Sequence, residues 1–202
     1  MDVALRFSRP WTSRLLAALS VILLVVSTAL LLDSRVPGWA AHWKCSLIDN
    51  LVAILNPIGG GLTLLIFCTA LGTVGRALRR TRLETASWLG ALAFIGAGLV
   101  EFAIKHLVSR PRPDAALDID SFPSGHATSV FAVATVFVAF YPRLRWPLYA
   151  LAAAVAMGRV YLERHYVSDI IAGAVIGIVI ASTLLRYRRV SLPDGPDLFA
   201  ES

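Results

Sequence analysis

Three short stretches of this sequence carry residue types that can act together on one phosphate group. The candidate residues, in chain order, are Lys105 and Arg112; Ser124, Gly125 and His126; and Arg159, His165 and Asp169. Fixed cations can neutralise the oxygens of a phosphate ester, and histidine can attack phosphorus or move a proton near neutral pH. The combination therefore indicates phosphoryl transfer.

The cations and the helix start predict a binding site for the phosphate. The planar guanidinium groups of Arg112 and Arg159 can bind phosphate oxygens through paired N–H groups, and Lys105 adds a point charge. The run SFPSGH opens an apolar segment, and the first N–H groups of a helix form an anion site. Gly125 lets the backbone approach the phosphate, and the Ser124 hydroxyl can cap the helix or donate to an oxygen.

The two histidines divide the remaining chemistry. His165 and Asp169 are four residues apart, a spacing that places them on one face of a helical turn. A carboxylate that accepts the Nδ1 proton leaves Nε2 free to attack, and His126 can then protonate the leaving oxygen. Fixed cations take the place of a metal ion, so the sequence predicts neither a metal nor any other cofactor.

Each of these residues, taken alone, also fits a structural role. Lysine and arginine near helix ends often anchor a helix at the membrane interface, and Ser-Gly is an ordinary helix start. His165 and Asp169 can form a local pair with no catalytic function. The site hypothesis depends on all three stretches lying at the same end of the helices.

The composition favours a polytopic membrane protein with an all-α fold. Hydrophobic residues make up 57% of the 202 residues and charged residues 16%, against about 25% charged in ordinary globular chains. Six segments approach the length of about 20 residues that a span requires. They are roughly Leu15–Leu32, Leu51–Val74, Ala86–Val108, His126–Tyr141, Trp146–Tyr161 and Asp169–Leu185. We therefore expect a bundle of about six transmembrane helices, the first of them an uncleaved anchor.

The basic residues predict the orientation of this bundle. In a six-span arrangement, 12 of the 19 lysines and arginines fall on the side of both termini. The positive-inside rule makes that side cytoplasmic, and it places the three stretches at the extracytoplasmic ends of the helices. The inner arginines are dispersed over several membrane loops, which argues against nucleic-acid binding despite the net charge of +6.

The sequence also predicts the domain organisation and several local features. Residues 1–190 are expected to form one transmembrane domain, and residues 191–202 a disordered cytoplasmic tail. Asn56-Pro57, followed by three glycines, predicts a bent second segment. Glu101 and Lys105 are spaced to form an ion pair, whereas Arg110 and Arg164 are left open between a second phosphate and interfacial lipid.

The three stretches resemble the type 2 phosphatidic acid phosphatase superfamily, the lipid phosphate phosphatases related to vanadium haloperoxidases, in its membrane-bound bacterial form. The match covers residues 105–169 and has three parts. They are Lys105 to Arg112-Pro113, then Pro123-Ser124-Gly125-His126, then Arg159, His165 and Asp169. Gly158 stands where the family usually has serine, a departure that removes a hydroxyl near the phosphate.

The resemblance implies a role for each matched residue. His165 is the expected nucleophile that forms a phosphohistidine, Asp169 its partner and His126 the general acid. The expected phosphate-binding residues are Lys105, Arg112, Ser124, Gly125 and Arg159.

The expected substrate is a lipid phosphate held in the bilayer. Undecaprenyl diphosphate is favoured, followed by phosphatidylglycerophosphate and phosphatidate. A lipid phosphotransferase with the same site and a non-enzymatic transporter or scaffold stay open, while the haloperoxidases are soluble and fit six spans poorly. The sequence leaves the oligomeric state open.

Overall fold

The computed structural model describes residue 27 and residues 29–114 and 120–191. Within these ranges the chain is helical and has no β-strand, which confirms the predicted all-α fold. The first predicted segment lies mostly outside the described ranges, although residues 29–33 are helical. The predicted tail also lies outside them, except for Ser191.

The helices from Ser46 onward correspond to the predicted segments after the first, whereas Val36–Trp43 is a further helix in the connection before them. We label them α1 (Val36–Trp43), α2 (Ser46–Leu55), α3 (Gly61–Ala77), α4 (Thr81–Val108), α5 (Gly125–Phe140), α6 (Arg145–Tyr161) and α7 (Val167–Ser191). A short 3-10 turn, Asn56–Gly59, separates α2 from α3, and another, Pro142–Leu144, leads into α6.

Helix length and apolar composition identify the membrane-spanning candidates among the described residues. α4 and α7 are each long and apolar enough to cross a membrane. α2 and α3 together pass the same test, but a bend of 62° divides them. The predicted second segment is therefore broken rather than merely curved, because Pro57 lacks an N–H group and the following glycines are weak helix formers.

α5 is the central helix of the described bundle. Its sequence, GHATSVFAVATVFVAF, has no polar face, and a helix that is apolar on all sides is buried on all sides. Eleven of its sixteen residues are buried, and it packs against α4, α6 and α7. The start of α5, where His126 lies, is thus held by neighbouring helices.

Two glycines of α7, four residues apart, allow it to approach α5 closely. A Cβ on Gly173 would lie 2.7 Å from the Ser124 carbonyl oxygen, and one on Gly177 would overlap the Thr128 carbonyl oxygen. Such small-residue pairs let membrane helices pack backbone to backbone. At this distance the Ser124 N–H donates to the Asp169 carbonyl oxygen at 3.1 Å, which joins the starts of the two helices.

We predict that Gly177→Ala destabilises the protein, because the new methyl group meets backbone atoms that cannot rotate away. Overpacking of this kind costs about 1–3 kcal/mol. The matched control is Gly98→Ala in α4, where an added Cβ meets nothing within 4 Å. The thermal unfolding midpoint in detergent should fall for Gly177→Ala and stay at the native value for Gly98→Ala; equal midpoints for the two variants would contradict the close packing.

Candidate active site

The segment between α4 and α5 folds back on itself at the end of α4. Ser109 ends that helix in the left-handed conformation, with φ of 43°. The carbonyl of Arg110 then accepts hydrogen bonds from the N–H groups of Asp120 and Ser121, at 2.9 and 2.8 Å. The Ser121 hydroxyl donates to the Pro111 carbonyl at 3.0 Å. These bonds hold the first predicted stretch beside the second.

The third stretch is joined to both of the others. After α6, the Arg159 carbonyl accepts the N–H groups of Arg164 and His165, so the chain turns sharply between Arg159 and His165. Arg112 Nη1 donates to the Arg164 carbonyl at 3.3 Å. With the backbone bond between Ser124 and Asp169, these contacts bring the three stretches together at one end of the helices.

His165 is buried, and its ring is oriented by a backbone carbonyl. The Nδ1 atom lies 2.7 Å from the Ser121 carbonyl oxygen. A carbonyl can only accept, so Nδ1 carries the proton and Nε2 is left with a free lone pair. The sequence predicted Asp169 as the acceptor of this proton, but the nearer Asp169 oxygen is 3.6 Å away.

Asp169 is occupied by other donors, which explains the difference. Its Oδ1 accepts from Arg110 Nη1 at 2.8 Å, and its Oδ2 accepts from the Tyr166 N–H at 2.8 Å. The carboxylate is fully buried. Asp169 therefore acts on His165 mainly through its negative charge, while Ser121 fixes the tautomer.

The surroundings of His165 favour its neutral form. Burial lowers the pKa of His165, and the positive charge of Arg159 lowers it further. The Asp169 carboxylate and the Ser121 carbonyl act in the opposite direction without offsetting the decrease. A neutral imidazole with a free Nε2 is the form that can act as a nucleophile.

Three polar groups of the predicted phosphate-binding residues are buried without a hydrogen-bond partner among the described residues. They are Arg112 Nε, Ser124 Oγ and Arg159 Nε, one from each stretch. A buried polar group left unpaired costs about 1–3 kcal/mol, and native proteins keep few of them. An anion bound between the stretches would supply the missing acceptors.

Lys105 and Gly125 lie close to the same carboxylate. Lys105 Nζ is 2.7 Å from Glu101 Oε1, which confirms the predicted ion pair. A Cβ on Gly125 would lie 3.0 Å from that oxygen, so glycine at this position lets the Glu101 carboxylate lie close against α5. The lysine is thus held near the N-terminus of α5, where unpaired backbone N–H groups favour an anion.

The turn Asn56–Gly59 also reaches the site. Arg159 Nη1 donates to Asn56 Oδ1. A Cβ on Gly59 would lie 2.7 Å from the His126 ring. The break between α2 and α3 therefore places polar backbone and an amide side chain beside one histidine and one arginine of the site.

Sequence reasoning missed four residues that organise this site: Asp33, Asn56, Ser121 and Ser168. Asp33 and Asn56 each carried a signal, because a polar residue at the end of or inside an apolar segment is costly unless it has a role. Ser121 acts through its backbone carbonyl, which every residue type has, so no sequence signal could have singled it out.

In the described part of the chain, no group of three or more His, Cys, Asp or Glu side chains is placed to hold a metal ion.

The helical architecture and the three linked stretches are shared with known proteins. Residues 86–192, slightly more than half of the chain, match the PAP2 superfamily and include all three stretches. The chain belongs to the PAP2 superfamily.

Individual PAP2 proteins resemble the chain to different extents. A lipid A 1-phosphatase of Rhizobium etli is 30% identical over an alignment that spans 89% of this chain and 90% of that protein. An undecaprenyl-diphosphatase of Bacillus subtilis is 26% identical over 109 residues, 48% of this chain and 56% of that protein.

A solved structure shares the fold. The transmembrane PAP2-type phosphatidylglycerolphosphate phosphatase from Bacillus subtilis superimposes with a TM-score of 0.69 at 22% identity, covering 85% of this chain and 96% of that one. The chain is accordingly an all-helical membrane protein of the PAP2 lipid phosphatase family.

Gly158 is the residue at which this PAP2 chain departs from the expected motif. It is buried in α6, and a Cβ there would lie 3.5 Å from Val52, an ordinary van der Waals distance. Packing against Val52 therefore leaves room for the Cβ of the serine that is usual at this position.

We predict that the unpaired Ser124 hydroxyl contributes to anion binding. Hydrogen bonds to charged groups are worth about 1.5–3 kcal/mol, so Ser124→Ala should weaken orthovanadate binding about 10- to 100-fold. Titration calorimetry of the purified protein measures the Kd. The control is Ser87→Ala in α4, whose hydroxyl is already paired with the Leu83 carbonyl at 2.7 Å. Equal Kd values for both variants and the native protein would refute this role of Ser124.

Proposed function

We propose that this PAP2 protein hydrolyses a phosphomonoester or diphosphate of a membrane lipid through a phosphohistidine intermediate. The observation that carries the proposal is the set of buried, unpaired donors on Arg112, Ser124 and Arg159. Arg112 also donates to the carbonyl of Arg164, the residue before His165, and the His165 ring bonds the Ser121 carbonyl and keeps its Nε2 free. Donors that await an anion, joined to an oriented nucleophile, are what phosphoryl transfer requires.

The first step forms the covalent intermediate. The Nε2 lone pair of His165 attacks phosphorus, the bond from phosphorus to the lipid-side oxygen breaks, and His126 gives a proton to that leaving oxygen. Nδ1 keeps its proton, and the Ser121 carbonyl and the charge of Asp169 stabilise the positive imidazole that forms. In the second step, a water oxygen attacks phosphorus while His126 takes one of the water's protons, the bond from phosphorus to His165 Nε2 breaks, and inorganic phosphate leaves.

The cations supply the electrostatic part of catalysis. Arg112, Arg159 and Lys105, with the first N–H groups of α5, neutralise the equatorial oxygens as charge spreads over them in the transition state. Their positions are fixed before the substrate binds, since Arg112 and Arg159 each hold a protein oxygen through Nη1. Preorganised donors need no rearrangement at the moment of reaction.

For the substrate we propose a lipid phosphate in the outer leaflet, reached at the extracytoplasmic ends of the helices with both termini cytoplasmic. The distribution of basic residues supports this orientation. The similarity to a lipid A 1-phosphatase over nine tenths of each chain supports a glycolipid 1-phosphate as the first candidate. Undecaprenyl diphosphate, favoured by our sequence analysis, is supported over about half of the chain.

We predict that His165→Ala abolishes phosphate release from every lipid, because it removes the attacking atom. The purified protein should be assayed without added metal against a lipid A 1-phosphate, undecaprenyl diphosphate, phosphatidylglycerophosphate and phosphatidate. The control is His106→Ala, an exposed histidine whose Nδ1 is bonded to the Phe102 carbonyl. A radiolabelled lipid phosphate should also label the native protein but not His165→Ala. A label that is lost in acid and stable in alkali would identify the phosphohistidine.

The outcomes of this assay separate the alternatives. Retained release in His165→Ala would contradict the mechanism. Labelled protein that passes its phosphate to an added lipid acceptor rather than to water would identify a phosphotransferase. Neither labelling nor release would favour a non-enzymatic protein.

We also predict the position of the acid limb of the pH profile. Since burial lowers the pKa of His165, its reactive neutral form persists to lower pH than for an ordinary histidine with pKa about 6.5. The acid limb of kcat/KM reports the ionisation of groups on the free enzyme and the free substrate. After correction for the ionisation of the substrate phosphate, which occurs near pH 6, this limb should therefore lie below pH 6.5. A corrected limb at or above pH 6.5 would contradict this assignment.

A further inference from the structure

Asp33 is a buried carboxylate outside the part of the chain that matches the PAP2 superfamily. It lies at the end of the first apolar segment, 5% exposed, whereas the matched residues begin at 86. A charge in such a place is costly unless it is paired and hydrogen-bonded. The partners of Asp33 therefore indicate what it does.

In the described structure, the hydrogen bonds of the Asp33 carboxylate go to two residues of the site region. Its Oδ1 accepts the Ser168 N–H at 3.0 Å. Its Oδ2 accepts the Ser168 hydroxyl at 2.6 Å and Arg110 Nη2 at 2.9 Å. Asp33 thus holds the residue that immediately precedes Asp169, in the first turn of α7.

Arg110 extends this contact directly to Asp169. Its Nη1 donates to Asp169 Oδ1 at 2.8 Å and to the Ser168 hydroxyl at 2.7 Å, and its guanidinium stacks over the Tyr166 ring at 4.0 Å. The sequence left Arg110 open between a second phosphate and interfacial lipid; instead it bridges two buried carboxylates.

We propose that Asp33 is a positioning residue for His165 that acts through Arg110 and Asp169. The proposal rests on the proposed function, in which His165 attacks phosphorus. Asp33 holds Arg110 in place, Arg110 holds one oxygen of Asp169, and the other oxygen of Asp169 stays 3.6 Å from His165 Nδ1.

The charges around the imidazole give Asp33 an effect beyond anchoring. His165 is exposed to the positive charge of Arg159 and the negative charge of Asp169. Two carboxylates share one guanidinium, so the cluster of Asp33, Arg110 and Asp169 carries a net negative charge. Without Asp33, the charge of Arg110 would offset more of the charge of Asp169, and the positive imidazole formed during attack would lose part of its stabilisation.

The test compares Asp33→Asn with Asp49→Asn. Asp49 is an exposed carboxylate in α2 that accepts the Tyr161 hydroxyl at 2.7 Å, so it controls for loss of a hydrogen-bonded aspartate. Asp33→Asn should lower kcat about tenfold or more, as loss of a partner that orients a site residue typically does. The KM and the Kd for orthovanadate should stay within about twofold of native, because Asp33 contacts none of Arg112, Ser124 and Arg159.

Two further readouts separate positioning from simple structural support. The corrected acid limb of kcat/KM should move to lower pH in Asp33→Asn, since the uncompensated charge of Arg110 disfavours protonation of His165. In an Arg110→Gln background, Asp33→Asn should add little further loss of kcat, because the two residues act in series. Losses that multiply independently in the double variant would overturn the proposal.

The remaining outcomes also decide between the hypotheses. If the native protein turns over substrate and folded Asp33→Asn has a normal kcat and an unshifted acid limb, the role of Asp33 is overturned and the proposed function stays intact. The same holds if Asp33→Asn changes only the melting temperature. Absence of turnover and labelling in native protein would overturn both. If Asp33→Asn fails to fold, Ser168→Ala removes one bond to Asp33 and one to Arg110, and a normal kcat there would refute the proposal.

Discussion

The backbone hydrogen bond from the Ser124 N–H to the Asp169 carbonyl is the contact on which the site depends. It forms because Gly173 and Gly177 let α7 approach α5 without intervening side chains. The bond places the start of α5, with its unpaired N–H groups, beside the turn that carries His165. Two helices that are distant in sequence thereby act as one rigid support, and neither could orient the site alone.

Around this support, the site keeps several polar groups unpaired inside the protein. Arg112 Nε, Ser124 Oγ and Arg159 Nε are buried without partners among the described residues. Such groups oppose folding, and the packing of the apolar α5 among α4, α6 and α7 offsets their cost. An anion that accepted from these groups would remove this cost, so we expect a bound phosphate or vanadate to stabilise the protein.

His165 and Asp169 do not form a direct hydrogen-bonded pair. The Ser121 carbonyl takes the Nδ1 proton, and Asp169 faces Arg110 and the Tyr166 N–H. Separating the two tasks has a physical consequence. The tautomer is fixed by a neutral oxygen that cannot be protonated, while the charge that stabilises a positive imidazole is set by a carboxylate whose partners extend to Asp33.

The sequence by itself determined the all-α class, the segments that became α4 to α7 and the break near Pro57, and it singled out the residues for which we propose a chemistry. These follow from local properties: apolar length, the missing N–H of proline, the Glu101–Lys105 spacing and residue types at fixed intervals. Only the tertiary structure decided that Arg110 binds Asp33 and Asp169, that Asn56 holds Arg159, and that a carbonyl orients His165. The reason is that these contacts join residues 44 to 103 positions apart through groups whose partners depend on how the helices pack.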